Sequence, residues 1–221
     1  MEQKTMQIAI DGPSGSGKST ISKILARELE ILYLDTGAMY RAAGLKALMK
    51  HIPTNDEEKL SEMISDTEID IKYIDGNQHI FLDSVDVTGK IRTNEVSMAA
   101  SDVSKCRSVR FKLVDMQRKI AGKNSVIMDG RDIGTYVLPN ADYKFFLTAK
   151  AEERAKRRVA EYASKGMAAD YEQILEDIKK RDLQDSTREF APLKKAADAV
   201  EIDSTHLSIS EVVASIKGVI K

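Results

Sequence analysis

Only one cysteine, Cys106, occurs in the 221 residues, so no disulfide can form within the chain. That absence fits a reducing compartment. Tryptophan is missing and aromatic residues make up 5% of the sequence, which leaves few platforms on which bases could stack. Neither sign of charge dominates: 34 Lys and Arg stand against 35 Asp and Glu, a formal net charge of -1. Broad electrostatic binding to nucleic acid is therefore not expected, and any anion site must come from arginines gathered locally. No run approaches the ~20 apolar residues that span a bilayer. No basic leader with an apolar core opens the chain. The expectation is a soluble, cytoplasmic protein that binds neither membrane nor nucleic acid. The three histidines, His51, His79 and His206, are too scattered to suggest a metal cluster. A chain of this length should build one main core carrying insertions, without disulfide staples.

What is present begins at Gly12. Gly12, Pro13, Ser14, Gly15, Ser16, Gly17, Lys18 and Ser19 fill the pattern G-x-x-x-x-G-K-[ST] at every fixed position, and Thr20 follows. The apolar run Met6, Ile8, Ala9, Ile10 before it reads as a buried strand. Ile21, Ile24, Leu25 and Leu29 after it recur at helical spacing. A strand, a Gly-rich turn and a helix N-terminus form the setting of a phosphate-binding loop. Backbone N–H groups of such a loop converge on phosphate oxygens, and the helix start adds its own unpaired donors. Lys18 would reach the β- and γ-phosphates, and the Ser19 hydroxyl would sit on Mg²⁺. The pattern points to a nucleoside triphosphate. No N/T-K-x-D guanine-reading motif accompanies it.

The rest of the chain alternates strands with helices. Ile31–Leu34 reads as a second strand feeding a helix over Ala38–Met49, and a polar helix follows over Asp56–Ile64. The period then changes to two, with Asp75-Gly76-Asn77 as a turn, so 68–88 reads as a small antiparallel insertion. Helices are expected over Asn94–Cys106 and Val109–Ala121. Strands are expected at Ser125–Asp129 and Tyr143–Leu147. Charged helices should span Ala151–Lys165 and Tyr171–Leu183. A last strand at Ala199–Ile202 precedes a helix opened by a Ser208–Glu211 capping box. The predicted class is α/β: a parallel sheet of P-loop type with helices on both faces, a small antiparallel β insertion on the substrate side, and a helical lid. We expect one domain, with a core of 1–35, 122–150 and 190–221, a substrate-side region of 36–121 and a lid with its following helix at 151–189.

Three further segments lie where a parallel sheet puts its ligands, beyond strand C-termini. In Asp35–Arg41, the strand delivers Thr36, and Arg41 is either a phosphate grip or a solvated arginine on a capped helix. In Met128–Gly134, an apolar strand ends in Asp129, an acid placed to hold Mg²⁺ directly or through water. Arg131 and Asp132 follow between two glycines, either facing a ligand or tying the turn by a local ion pair. In Arg181–Arg188, Arg181, Asp185 and Arg188 fall at i, i+4 and i+7. That spacing puts them on one helix face, as a solvated ladder or as a ligand-facing set.

Taken together, these segments resemble the bacterial cytidylate kinases along nearly the whole chain. The resemblance is carried by DGPSGSGKST (11–20), DTGAMYR (35–41), IRTNEVS (91–97), Ala100-Ser101 followed by Arg110, DGRDIGT (129–135), RDLQDSTR (181–188) and APL (191–193). It implies a monomeric enzyme that transfers the γ-phosphoryl group of ATP, with Mg, to CMP or dCMP. It also implies residue roles. Gly12–Thr20 would hold ATP, and Ser101, Arg110 and Asp132 would recognise cytosine. Arg131 and Arg181, with Arg41, would hold the phosphate region of CMP. Asp185 and Arg188 would meet the ribose and nearby groups. Thr36 stands where serine also occurs in the family and keeps its hydroxyl; Tyr40 and Asp129 belong to the same substrate-binding set. Lys18, Arg131, Arg181 and Arg158 are the expected catalytic cations. Arg158 lies with Arg154 and Arg157 in the stretch where the family carries its lid. Glu153 and Arg157, at i, i+4, would otherwise make an ordinary surface pair.

Overall fold

The computed structural model describes residues 5–164 and 166–220. In chain order, β1 (Gln7–Asp11) leads through the glycine-rich loop into α1 (Lys18–Glu28), then β2 (Leu32–Asp35) and α2 (Thr36–Met49). Next come α3 (Glu57–Ser65), β3 (Ile69–Ile74), β4 (Asn77–Leu82), the two-residue β5 (Val85–Asp86), α4 (Asn94–Val103) and α5 (Arg107–Ala121). The chain continues through β6 (Val126–Gly130), β7 (Tyr143–Thr148), α6 (Ala151–Ser164), α7 (Tyr171–Thr187), β8 (Val200–Asp203) and α8 (Ile209–Val219). A π-helical turn over Ile133–Val137 separates β6 from β7; hydrophobic periodicity gives no sign of it.

Two compact units result. One takes the chain up to Tyr33 and from Asn124 onward; the other is Leu34–Lys123. The first is built on a five-stranded sheet ordered β2-β6-β1-β7-β8. β1 runs parallel to both β6 and β7, and β7 parallel to β8. In a parallel array every C-terminal end faces the same way, so the residues leaving β1, β6 and β7 emerge side by side. Asp11 is in register with Gly130 on one side and Phe146 on the other. The phosphate loop thus begins next to the turn that carries Arg131 and Asp132. Beneath it, Ile8, Ile10, Ile127, Phe145 and Leu147 pack with Ile21 and Leu25 of α1 and with Val212 and Ile216 of α8. Burying each of these larger side chains is worth roughly 1.5–3 kcal/mol. The Ser208–Glu211 capping box that opens α8 is present as expected.

The second unit gathers α2–α5 with the antiparallel sheet β3-β4-β5. Three of its four helices start on side chains that accept a backbone N–H of the first turn: Asp35 from Ala38, Asp56 from Lys59 and Thr93 from Val96. The hairpin is pinned by Gln78, which accepts from the Asp35 N–H at 2.8 Å and donates to the Asp35 carbonyl at 3.3 Å. Lys112 of α5 donates to the carbonyls of Ile64, Ser65 and Thr67. These bonds fix the end of α3 and the approach to β3.

Candidate active site

The phosphate loop can leave β1 only through a glycine. Gly12 has φ 151°, and a Cβ there would lie 2.0 Å from the Leu147 carbonyl oxygen of β7. Lys18 is buried and folded back over the loop, donating to the Pro13 carbonyl at 2.6 Å and reaching Ser16 Oγ at 3.4 Å. Burial first, then the nearby charge of Arg131, pulls the Lys18 ammonium down to about 7; Asp129, Asp11 and Asp185 act the other way. Ser19, one residue on, donates to Asp129 Oδ2 at 2.8 Å, while the Tyr33 hydroxyl donates to Asp129 Oδ1 at 2.8 Å. Asp129 is buried at the end of β6 and held by both oxygens. The structure therefore brings together Lys18, Ser19 and Asp129, residues 110 positions apart in the chain.

Arg131 and Asp132 each find a partner on or just after α7. Arg131 Nε donates to Asp185 Oδ2 at 2.7 Å, and Asp132 lies 3.3 Å from Arg188. Burial alone would raise the Asp185 carboxyl, but Arg131, by charge and hydrogen bond, and then Arg181 and Arg188 hold it below the usual range. Three arginines thus surround one carboxylate. Arg188, however, is not on the helix face that its spacing suggests. α7 extends four residues beyond Leu183 and ends at Thr187; Arg188 is its cap, with extended backbone (φ −59°, ψ 139°). Leaving the helix lets it reach Asp132 while its Nε donates to the Ala191 carbonyl at 2.6 Å.

The second unit holds the other predicted residues in its own group. Arg110 of α5 is 1% exposed; its Nη1 donates to the Ser104 carbonyl at 3.3 Å and its guanidinium lies 5.6 Å from the Tyr40 ring. Ser104 in turn donates to the Ser101 carbonyl at 2.7 Å, so Ser101, Arg110 and Tyr40 form one chain of contacts. Thr36 is buried at the first position of α2. Arg41 donates to Asp35 Oδ2 at 2.8 Å, which holds its guanidinium at the N-terminus of α2.

A family model described as cytidylate kinase matches residues 8–221. The chain belongs to the cytidylate kinase family. A cytidylate kinase of Caldicellulosiruptor bescii is 60% identical over 96% of this chain and 94% of its own length. That of Bacillus subtilis is 50% identical over 95% and 94%. Among solved structures, an uncharacterized protein from Eubacterium ventriosum aligns with TM-score 0.53 at 16% identity, covering 98% of both chains. A gluconokinase from Sinorhizobium meliloti aligns at 0.50 and 13%, covering 97% of this chain and 91% of its own. These two likenesses concern the fold alone. As a cytidylate kinase family member the chain is an ATP-dependent kinase of CMP or dCMP.

Against that family background, the lid arginines divide. Arg158 pairs with Glu161 at 3.0 Å and lies over the Tyr162 ring. Arg157 forms no surface pair with Glu153, which bonds Lys156 instead; it donates to the Ser204 carbonyl and hydroxyl. Arg154 is buried, donating to the Ser14 carbonyl of the phosphate loop at 2.9 Å and clasping the Asp182 carboxylate with both terminal nitrogens. Sequence reasoning gave no role to Tyr33, Asp182, Ser204 or Asp11. Only Asp11 carried a signal, as an acid closing an apolar strand. Magnesium takes hard oxygen ligands, commonly one or two carboxylates beside phosphates and water. The Ser19 hydroxyl and Asp129 carboxylate, bonded at the edge of the loop, are a donor set that fits it.

Proposed function

We propose that this cytidylate kinase family member works by holding two phosphate chains against one another with cations of the first unit. Gly12–Thr20 cradle ATP, and Lys18 bridges its terminal phosphates. Arg131 and Arg181 take the phosphate of CMP. The observation that carries this reading is geometric: the Ser19–Asp129 hydrogen bond of 2.8 Å and the Asp11–Gly130 register set the phosphate loop, with Lys18, beside the turn that bears Arg131. A polyanion placed there meets cations from both segments. Magnesium, held by Ser19 and Asp129 with the nucleotide, would neutralise charge on the transferred group.

No general base is required. The second pKa of a phosphate monoester is about 6, so the attacking oxygen of CMP is already anionic at neutral pH. The side chains have only to bind, align and exclude water, mainly by positioning and electrostatics. Asp132 accepts from the cytosine 4-amino group, as carboxylates do elsewhere. Uracil presents a carbonyl there, and a mispaired buried polar group costs ~1–3 kcal/mol. Ser101 and Arg110 add base contacts, and Thr36, Tyr40 and Arg41 complete acceptor binding. Asp185 and Arg188 meet the ribose side. Arg158 is the lid cation that closes on the transferred phosphoryl, swinging from Glu161 to do so.

We place the enzyme in the cytoplasm as a monomer. Among the described residues no helix is long and apolar enough to cross a membrane. The deciding experiment is an acceptor panel: initial rates of ADP release with Mg-ATP and CMP, dCMP, UMP or AMP. CMP and dCMP should be converted fastest. Failure to convert either would overturn the reading, and light scattering would test the monomer.

A further inference from the structure

Asp11 is the last residue of β1, immediately before the phosphate loop, and is 3% exposed. Its two carboxylate oxygens are used on another segment. Oδ1 accepts from the backbone N–H of Ile133 and Oδ2 from that of Gly134, each at 2.7 Å. These are the first two amides of the π-helical turn Ile133–Val137, directly after Arg131 and Asp132. The turn closes on itself through the Asp132 carbonyl, which accepts from Tyr136 at 2.9 Å and Val137 at 3.1 Å. On its upstream side the chain enters from Gly130, the register partner of Asp11. Arg131 and Asp132 are thus fixed at both ends to β1, once through the sheet and once through the Asp11 carboxylate.

Keeping an acid here is costly. Burial pushes the Asp11 carboxyl up to about 7; the Gly134 and Ile133 amides and Lys18 draw it down, and Asp132 adds to the rise. An apolar residue at this position would avoid that cost but leave two buried N–H groups without acceptors. Gly134 is part of the same device. A Cβ there would touch Asp11 Oδ2 at 3.4 Å and press on Lys144 Cδ at 3.2 Å, so any side chain larger than a methyl would crowd the turn against the end of β1.

We propose that Asp11 is a positioning residue for acceptor specificity: by holding the Ile133 and Gly134 amides it aims the Arg131–Asp132 turn, and with it the choice of cytosine over uracil. The inference rests on the reading of Asp132 as the acceptor of the cytosine amine.

Asp11→Asn keeps the shape but puts an NH2 group against one of the two amides. At pH 8, the ratio of kcat/KM for CMP to that for UMP should fall roughly 3- to 20-fold, while the KM for ATP moves far less. Gly134→Val, which keeps the charge and carries methyl groups beyond a Cβ that already touches Asp11 Oδ2 at 3.4 Å, crowds the clamp from the turn side and should shift the ratio in the same direction. It is read alone, by the same criteria, if Asp11→Asn does not fold. In an Asp132→Ala background, Asp11→Asn should lower the ratio no further. Equal losses for CMP, UMP and ATP would mean general structural damage and overturn the proposal. So would an unchanged ratio in both variants while Asp132→Ala alone lowers it. If Asp132→Ala itself leaves the ratio intact, the reading of Asp132 fails and the inference falls with it.

Discussion

Asp132 and Arg188 lie 3.3 Å apart with both side chains only 7% exposed, so the proposed base-reading carboxylate is already paired when the acceptor arrives. In the proposed role, its remaining lone pairs meet a base that offers hydrogens. Asp132→Ala should therefore reduce the preference for CMP over UMP by roughly 5- to 150-fold, the range for a mispaired buried polar group. Binding of ATP should change little. Steady-state kinetics with both acceptors decide it, and equal loss for CMP, UMP and ATP would remove Asp132 from base recognition.

Asp185 stands among Arg131, Arg181 and Arg188. Removing the carboxylate leaves three guanidinium groups with one anion fewer, and breaking a buried pair typically costs about 3–5 kcal/mol. Asp185→Ala should lower kcat/KM for CMP by at least about 100-fold and also lower the unfolding midpoint. Asp185→Asn keeps the shape and should lose less in stability. A near-normal kcat/KM for CMP in Asp185→Ala would show that the cluster does not depend on this anion.

Lys18 is the cation folded over the phosphate loop. Lys18→Ala should depress kcat by about two orders of magnitude or more at saturating substrates, because charge stabilisation in the transition state is lost. The fold should survive, since the lysine's hydrogen bonds, to the Pro13 carbonyl and Ser16 Oγ, stay within the loop itself. Circular dichroism with single-turnover kinetics checks both halves, and near-wild-type turnover would exclude Lys18 from the chemistry.

Asp11 also makes a pH prediction whose sign can be worked out. Its carboxyl is raised from 3.8 to about 7 in the fold, so between those values the native state holds a proton that the unfolded chain has lost. The contribution to stability is present in full below about 4 and is lost as pH rises through about 7, at up to ~1.4 kcal/mol per pH unit. The groups facing Asp11 are the Ile133 and Gly134 amides, Asp132 and Lys18. Urea unfolding at pH 5 and pH 7 should show wild type losing ~2–3 kcal/mol relative to Asp11→Asn over that interval. Parallel pH profiles would contradict it.

Magnesium removal offers a fifth test. Chelation should abolish phosphoryl transfer, and Asp129→Asn should raise the magnesium concentration needed for half-maximal rate by roughly tenfold or more if, as proposed, the Asp129 carboxylate helps to hold the ion. An unchanged magnesium requirement in Asp129→Asn would separate Asp129 from the ion.

Much of this arrangement was legible beforehand because its signals are local. The phosphate loop is a contiguous pattern, the β3–β4 hairpin announces itself by a change of period around Asp75-Gly76-Asn77, and α8 by its capping box. The class of the fold, a parallel sheet with an antiparallel insertion, followed from those periods. What was not legible depends on pairs brought together by the sheet. Tyr33 bonds Asp129 across 96 residues, and Arg154 bonds Ser14 across 140. No spacing rule encodes such pairs. Arg188 was placed on a helix face because i, i+7 spacing presumes an unbroken helix, whereas α7 ends one residue earlier. Arg157 looked like half of a surface pair until the chain after β8 returned to meet it. The turn after Asp132 was invisible for a related reason: its shape is set by a carboxylate 122 residues away.

The two arginines that root α6 have a mechanical consequence. Arg154 is tied to the phosphate loop and to α7, and Arg157 to the segment following β8, so the first two turns of the helix travel with the core. Any flap-like swing of the charged stretch has to pivot beyond Arg157, which makes Arg158 the first of the three arginines able to change address without tearing the nucleotide cradle.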